Sequence, residues 1–175
     1  MTSYDISREL QAATIRQNLT QMDIARKTHR TKSTVNGYFN GQHAPIDAVA
    51  HIALCLDDSI FSQDMANKVF GTLPAMDSST YELSVHSIDY IVIVEESERQ
   101  QKKNQAMIAL TKNKDTLTEN DRDVILKYAL DYLDEVFIET SSIISILDKL
   151  NISLRKAVNE RTPHWKAKKY LRGER

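Results

Sequence analysis

Thr20-Gln-Met-Asp-Ile-Ala-Arg-Lys-Thr-His-Arg-Thr-Lys-Ser-Thr-Val-Asn-Gly-Tyr-Phe-Asn-Gly41 reads as two short helices separated by a tight break. Thr20 offers a side-chain oxygen as N-cap, and Asp23 three places on makes a variant of the capping box, opening a helix through about Lys27. After a break of three or four residues, Lys32 to Asn40 turns Val35, Tyr38 and Phe39 inward, with Gly41 at the C′ position. Upstream, Ile6, Leu10 and Ala13 keep the spacing of one helical face. Downstream, Pro45 suits the first turn of a fourth helix whose stripe is Val49, Ile52, Ala53 and Leu56, with Cys55 beside it as a core residue. A fifth helix is expected over Ser62 to Phe70.

A helix that enters the major groove needs polar side chains near its N-terminus to reach base edges. Lys32, Ser33 and Asn36 meet that need, Lys32 suiting guanine O6 and N7 and Asn36 a bidentate pair with adenine. The whole stretch resembles the helix-turn-helix of the lambda-repressor-like, or Xre, family. Thr20, Gln21, Ala25, Val35, Tyr38, Phe39, Asn40 and Gly41 take that family's places without a gap, and the resemblance covers roughly residues 6–70. It implies that Lys32 and Ser33 read bases, that Gln21 touches phosphate and braces the first recognition side chain, and that Asn40 anchors the DNA backbone. The expected DNA-binding set is Thr20, Gln21, Arg30, Lys32, Ser33, Asn36, Gly37 and Asn40. Gly37 is read as permitting close approach to the DNA, and Arg30 as a phosphate contact. The sequence departs from the family at Thr28, His29 and Arg30, where an apolar residue, Gly and an apolar residue are usual. His29 must then adopt the left-handed conformation that Gly takes freely, or the turn must be reshaped.

Gly-Thr-Leu-Pro-Ala-Met-Asp-Ser-Ser at 71–79 has the content of a linker, which gives a DNA-binding domain over 1–74 and a second domain over 79–175. Ser79 with Glu82 reads as a capping box for a helix carrying Tyr81, Val85, Ile88 and Val92. Tyr90–Val94 is rich in β-branched residues, yet the Glu- and Gln-rich sequence after it favours a continuing helix. From Glu119 to Leu150, Leu126, Leu130, Leu133, Phe137, Thr140, Ile144 and Leu147 form a heptad-like seam, with a second apolar row at Ile125, Tyr128, Tyr132, Val136, Ile143 and Leu150. Ser153 caps a short helix, and Thr162 with Pro163 has the N-cap and N1 pattern of a last one carrying Trp165, Tyr170 and Leu171. The expected fold is all-α: a five-helix lambda-repressor-like domain followed by a helical dimerisation domain. Leu126, Leu130, Leu133, Phe137, Ile144 and Leu147 are the expected dimerisation residues, since one recognition helix reads only a few base pairs.

The bulk composition agrees with helices: 175 residues, 41% apolar and 27% charged, with 4 Gly and 3 Pro. The single Cys55 excludes an internal disulfide. The start MTSYDISREL lacks the features of a signal peptide, and the longest apolar run is too short to span lipid, so the expected home is the cytoplasm with no membrane partner. A net charge of −1 hides segregation: residues 1–56 sum to +2, 57–152 to −9 and 153–175 to +6. An acidic middle discourages indiscriminate polyanion binding, while the basic tail offers salt-dependent phosphate contacts or is simply a solvated helix end.

No catalytic or metal-binding motif is present and no cofactor is implied; Asp121, Asp123, Asp131, Asp134, Glu135 and Glu139 read as a solvated face. Many repressors of the resembling kind cleave themselves at an Ala-Gly or Cys-Gly bond, and this chain has neither dipeptide. The function implied is a non-self-cleaving repressor of prophage or mobile-element type, binding inverted-repeat operators in double-stranded DNA as a homodimer or higher oligomer. An antirepressor or other regulatory protein, a dedicated protease or a small ligand would relieve repression. The alternative is an antitoxin-type autoregulator whose C-terminal helices bind a toxin.

Overall fold

The computed structural model describes residues 2–172; the last three residues of the basic tail, 173–175, lie outside the described residues. The chain is mostly helical and divides into two compact units, one made of residues 1–75 with 150–175, the other of 76–149. The C-terminal segment, expected in the second domain, belongs instead to the first unit.

In the first unit, α1 (Ser7–Arg16), α2 (Gln21–Lys27), α3 (Lys32–Phe39), α4 (Ile46–Leu56) and α5 (Ser59–Phe70) surround one apolar core. The expected residues Ile6, Leu10, Ala13, Val35 and Ile52 are fully buried, joined by Ile24 and Phe61. Two very short strands, β1 (Ser3–Tyr4) and β2 (Ala44–Pro45), pair antiparallel with Ser3 opposite Pro45 and Tyr4 opposite Ala44. Pro45 consequently stands outside α4 as its N-cap in extended backbone, not within its first turn. α5 begins three residues earlier than the apolar pattern suggested, because Asp58 caps it by accepting the Phe61 N–H at 2.7 Å. The same carboxylate receives a bidentate pair from Arg16 at 2.9 and 2.8 Å, tying the end of α1 to the start of α5. Burial works against the Asp58 charge, but Arg16 and the Phe61 N–H outweigh it and hold the carboxyl below its usual pKa.

The last helix, α8 (Leu154–Ala167), is anchored at its first turn. Ser153 caps it and donates to Asp57 Oδ1 at 2.8 Å, the Leu154 N–H donates to Ser59 Oγ at 2.8 Å, and Arg155 and Lys156 each reach Asp57 at 2.9 Å. Asp57 itself is left-handed at the end of α4, with φ of 51°. Desolvation opposes its charge, yet Lys156, Arg155 and Ser153 bring the carboxyl down to about 2. Thr162 and Pro163 do not open a new helix. Pro163 lies inside α8, and the Thr162 hydroxyl donates back to the Val158 carbonyl at 2.7 Å instead of capping.

The second unit is a hairpin of α6 (Val85–Leu110) and α7 (Glu119–Asp148), joined through a single 3₁₀ turn at Lys114–Thr116. Tyr90–Val94 is helical. Ser84, not Ser79, caps α6 by accepting the Ser87 N–H at 3.3 Å, while Ser78 Oγ receives the N–H groups of Thr80 and Tyr81 in a local turn. Thr118 and Asp121 make a full capping box for α7. The ion pairs Arg99–Glu135, Lys102–Asp131 (2.6 Å) and Lys112–Asp121 (2.7 Å) run in opposite chain order, which makes the hairpin antiparallel. Arg99 also reaches Tyr128 Oη at 3.4 Å and lies 4.6 Å over the Tyr132 ring. Buried Ala106 and Ala109 let the backbones approach.

This seam carries its ion pairs beside buried Ala106 and Ala109, and the leucine row points elsewhere. Leu126, Leu130 and Leu133 are 57%, 49% and 49% exposed, Phe137 and Leu147 are half-buried, and Ile144 is buried. No helix among the described residues is long and apolar enough to cross a membrane.

Candidate nucleic-acid interface

The pair α2 and α3 is set by helix-end chemistry. Thr20 Oγ1 accepts the Asp23 N–H at 3.2 Å, and Asp23 Oδ2 accepts both the Thr20 N–H at 3.0 Å and its hydroxyl at 2.7 Å. Those bonds, the hydroxyl's first, hold the Asp23 carboxyl below its usual pKa, so α2 opens on a fixed anion. The Arg26 guanidinium lies against it at 2.9 Å. Ala25 and Ile24 are buried where the two helices cross.

The turn keeps its compact form. The Arg30 N–H donates to the Ala25 carbonyl at 2.9 Å and the His29 N–H to Arg26 at 3.4 Å, with His29 at φ of 54°. This is a Schellman motif in which His29 takes the left-handed C′ place that glycine usually fills. Thr28, in the place of an apolar residue, is buried and satisfies its hydroxyl on the Ile24 carbonyl at 2.7 Å. α1 and α3 end the same way, with Asn18 and Gly41 at C′.

α3 begins with Thr31, whose side chain accepts the Thr34 N–H at 3.1 Å. In the following turn Lys32, Ser33 and Asn36 are exposed, and their side chains have no intramolecular partner among the described residues. Gln21 is the first, half-buried residue of α2. The remaining members of the expected set have structural work. The Thr20 side chain is taken up by its cap. The Asn40 amide donates to the Asn36 carbonyl at 2.8 Å, closing α3. Arg30, expected as a phosphate contact, pairs with Asp47 at 2.7 Å and is only 20% exposed, pinning the turn to the start of α4.

Gly37 has a neighbour that the sequence reading missed. A Cβ there would overlap the end of the Gln42 side chain, which folds back over α3. With Gly41 at C′, Gly37 is C3 and Gln42 is C″, the pair that meets in a Schellman motif. That geometry was the available signal for Gln42, an exposed amide beside the face that carries Asn36.

No group of three or more His, Cys, Asp or Glu among the described residues is placed to hold a metal ion. Of the carboxylates on α7, Asp121, Asp131 and Glu135 face lysine or arginine. No family model, no curated protein and no solved structure matches this chain.

Proposed function

We propose that this chain is a sequence-specific DNA-binding repressor that occupies inverted-repeat operators as a dimer, reading base edges with Lys32, Ser33 and Asn36 of α3. One observation carries the reading. The first five residues of α3 present three exposed polar side chains with no internal hydrogen-bonding role, while Thr20, Thr31 and Arg30 around them are taken up by caps and an ion pair. Buried Ala25 and Val35 hold α2 and α3 together as a rigid mount, and preorganised donors on a rigid element suit groove readout. Gln21 at the start of α2 is the phosphate contact, and the resemblance to the lambda-repressor-like family supplies the repressor role.

The test is binding of the purified protein to its own upstream intergenic DNA against scrambled DNA across a salt series, beside a Lys32→Ala, Asn36→Ala variant. Preferential binding that the variant loses is expected, each removed side chain costing about 1–3 kcal/mol of discrimination. Equal, salt-sensitive binding to both DNAs that is unchanged in the variant would refute specific readout.

A further inference from the structure

The hairpin leaves a leucine row without a partner of its own. On α7 the residues facing α6 are spaced as a heptad seam of Asp121, Tyr128, Asp131 and Glu135, and their ion pairs consume that face. Leu126, Leu130 and Leu133 lie on the opposite side of the same helix, about half exposed, and the row continues to Phe137. Four apolar residues at spacings of four, three and four on a solvent face are the seam of a coiled coil.

We propose that α7 pairs antiparallel with α7 of a second copy of this chain, Leu126 stacking on Phe137 of the partner chain and Leu130 on Leu133. The charges beside the row choose both the occupant and its direction. With Leu126 and Leu133 at d and Leu130 and Phe137 at a, the e positions are Lys127 and Asp134, and the g positions are Arg122, Ala129 and Val136. Antiparallel helices set e against e and g against g, so each Lys127 meets the other chain's Asp134 once, giving two such pairs across the axis, and Ala129 meets Val136. A parallel pair sets g against e, bringing Arg122 to Lys127 with like charge. The face is thus complementary to itself in one orientation, as an isologous two-fold contact requires. Lys127 is now held only by an exposed bond to Asp123 at 2.8 Å on its own helix, which leaves it available.

This pairing supplies the dimer on which the operator reading rests, and its test uses no DNA, so either can fail alone. Sedimentation of the full chain should give twice the 20.0 kDa chain mass. Leu130→Asp should give single chains with unchanged helical circular dichroism, since Leu130 fills no internal core. Lys127→Glu and Asp134→Lys should each weaken the dimer about tenfold, and the double reversal should recover it to within about threefold. In a Cys55→Ser background, mixed Lys127→Cys and Asp134→Cys chains should oxidise to a mixed disulfide, while Lys127→Cys alone should not link to itself. A wild-type monomer at every concentration, or a dimer indifferent to Leu130→Asp, would overturn the face. Self-linked Lys127→Cys would overturn the orientation.

Discussion

The two units are built on opposite plans. In the first, apolar side chains meet at the centre and charges act at helix ends: Arg16 with Asp58, Arg30 with Asp47, Lys156 with Asp57. In the second, charges meet between the helices and leucines face outward. A six-helix unit with fully buried Ile52 and Phe61 has closed its core, whereas a two-helix hairpin has too few faces to hide both an ionic seam and an apolar row. The contrast teaches that the first unit buries its apolar surface within one chain, while the second leaves an apolar row that only the proposed pairing would cover.

The largest effect that would break this contrast is in the closed core. Phe61→Ala should cost the first unit about 3–5 kcal/mol, through lost transfer energy plus a cavity. Native-state hydrogen exchange should show α1 to α5 losing protection while α6 and α7 keep theirs. Equal loss in all helices would mean that the chain opens as one unit.

Slightly smaller, and diagnostic of the other plan, is the Arg99–Glu135 pair, whose side chains are 11% and 6% exposed. Glu135→Ala takes the carboxylate away from the half-buried Arg99 guanidinium and should destabilise the hairpin measurably. Replacing both partners, as Arg99→Met with Glu135→Leu, should be close to neutral in urea unfolding. A double variant as damaged as the single would show that the pair is more than a registered packing contact.

Each unit also carries an aspartate drawn down to about 2: Asp57, where Lys156, Arg155 and Ser153 outweigh desolvation, and Asp121, held chiefly by Lys112 and then Thr118. A carboxyl whose pKa is depressed by folding contributes stability that is complete above about pH 4 and fades as pH falls through the folded value. Between about pH 4 and pH 2, Asp57→Asn should therefore flatten the acid-induced release of α8, followed by Trp165 fluorescence. An unchanged acid limb would remove Asp57 as the anchor.

How much of this was legible depends on whether a feature is local. The cap of α2 and the end of α3 lay in the letters themselves, because Thr20 and Gly41 have short-range chemistry, whereas the Thr31 cap of α3 was not read. Lys32, Ser33 and Asn36 could be placed at the exposed start of α3 for the same reason. The pairing of β1 with β2 joins residues about forty apart and leaves no periodicity to read. Arg30 looked free because Asp47 is distant in sequence, and the basic tail looked like part of the second domain because its anchor is Asp57 on α4. In α7 the leucine row was plain, but its direction depended on a competing row of Asp121, Tyr128, Asp131 and Glu135, which draws meaning only from Arg99, Lys102 and Lys112 on α6.

The smallest effect separates two readings of one residue in the first unit. Gly37→Ala should gain up to about 1 kcal/mol of helix propensity, because a methyl there displaces only the flexible end of Gln42. If Gly37 exists to make room for Gln42, the variant should be a little more stable in urea and should bind operator DNA nearly as well. If Gly37 instead lets α3 approach the DNA closely, stability should still rise while operator affinity falls by tenfold or more. A Gln42→Ala, Gly37→Ala double variant divides the cases, since with the displaced side chain gone binding stays near that of the parent chain in the first and remains lost in the second. The same comparison ties stability to function within the closed unit, where a gain in one at the expense of the other marks a residue shaped for a surface the chain itself does not supply.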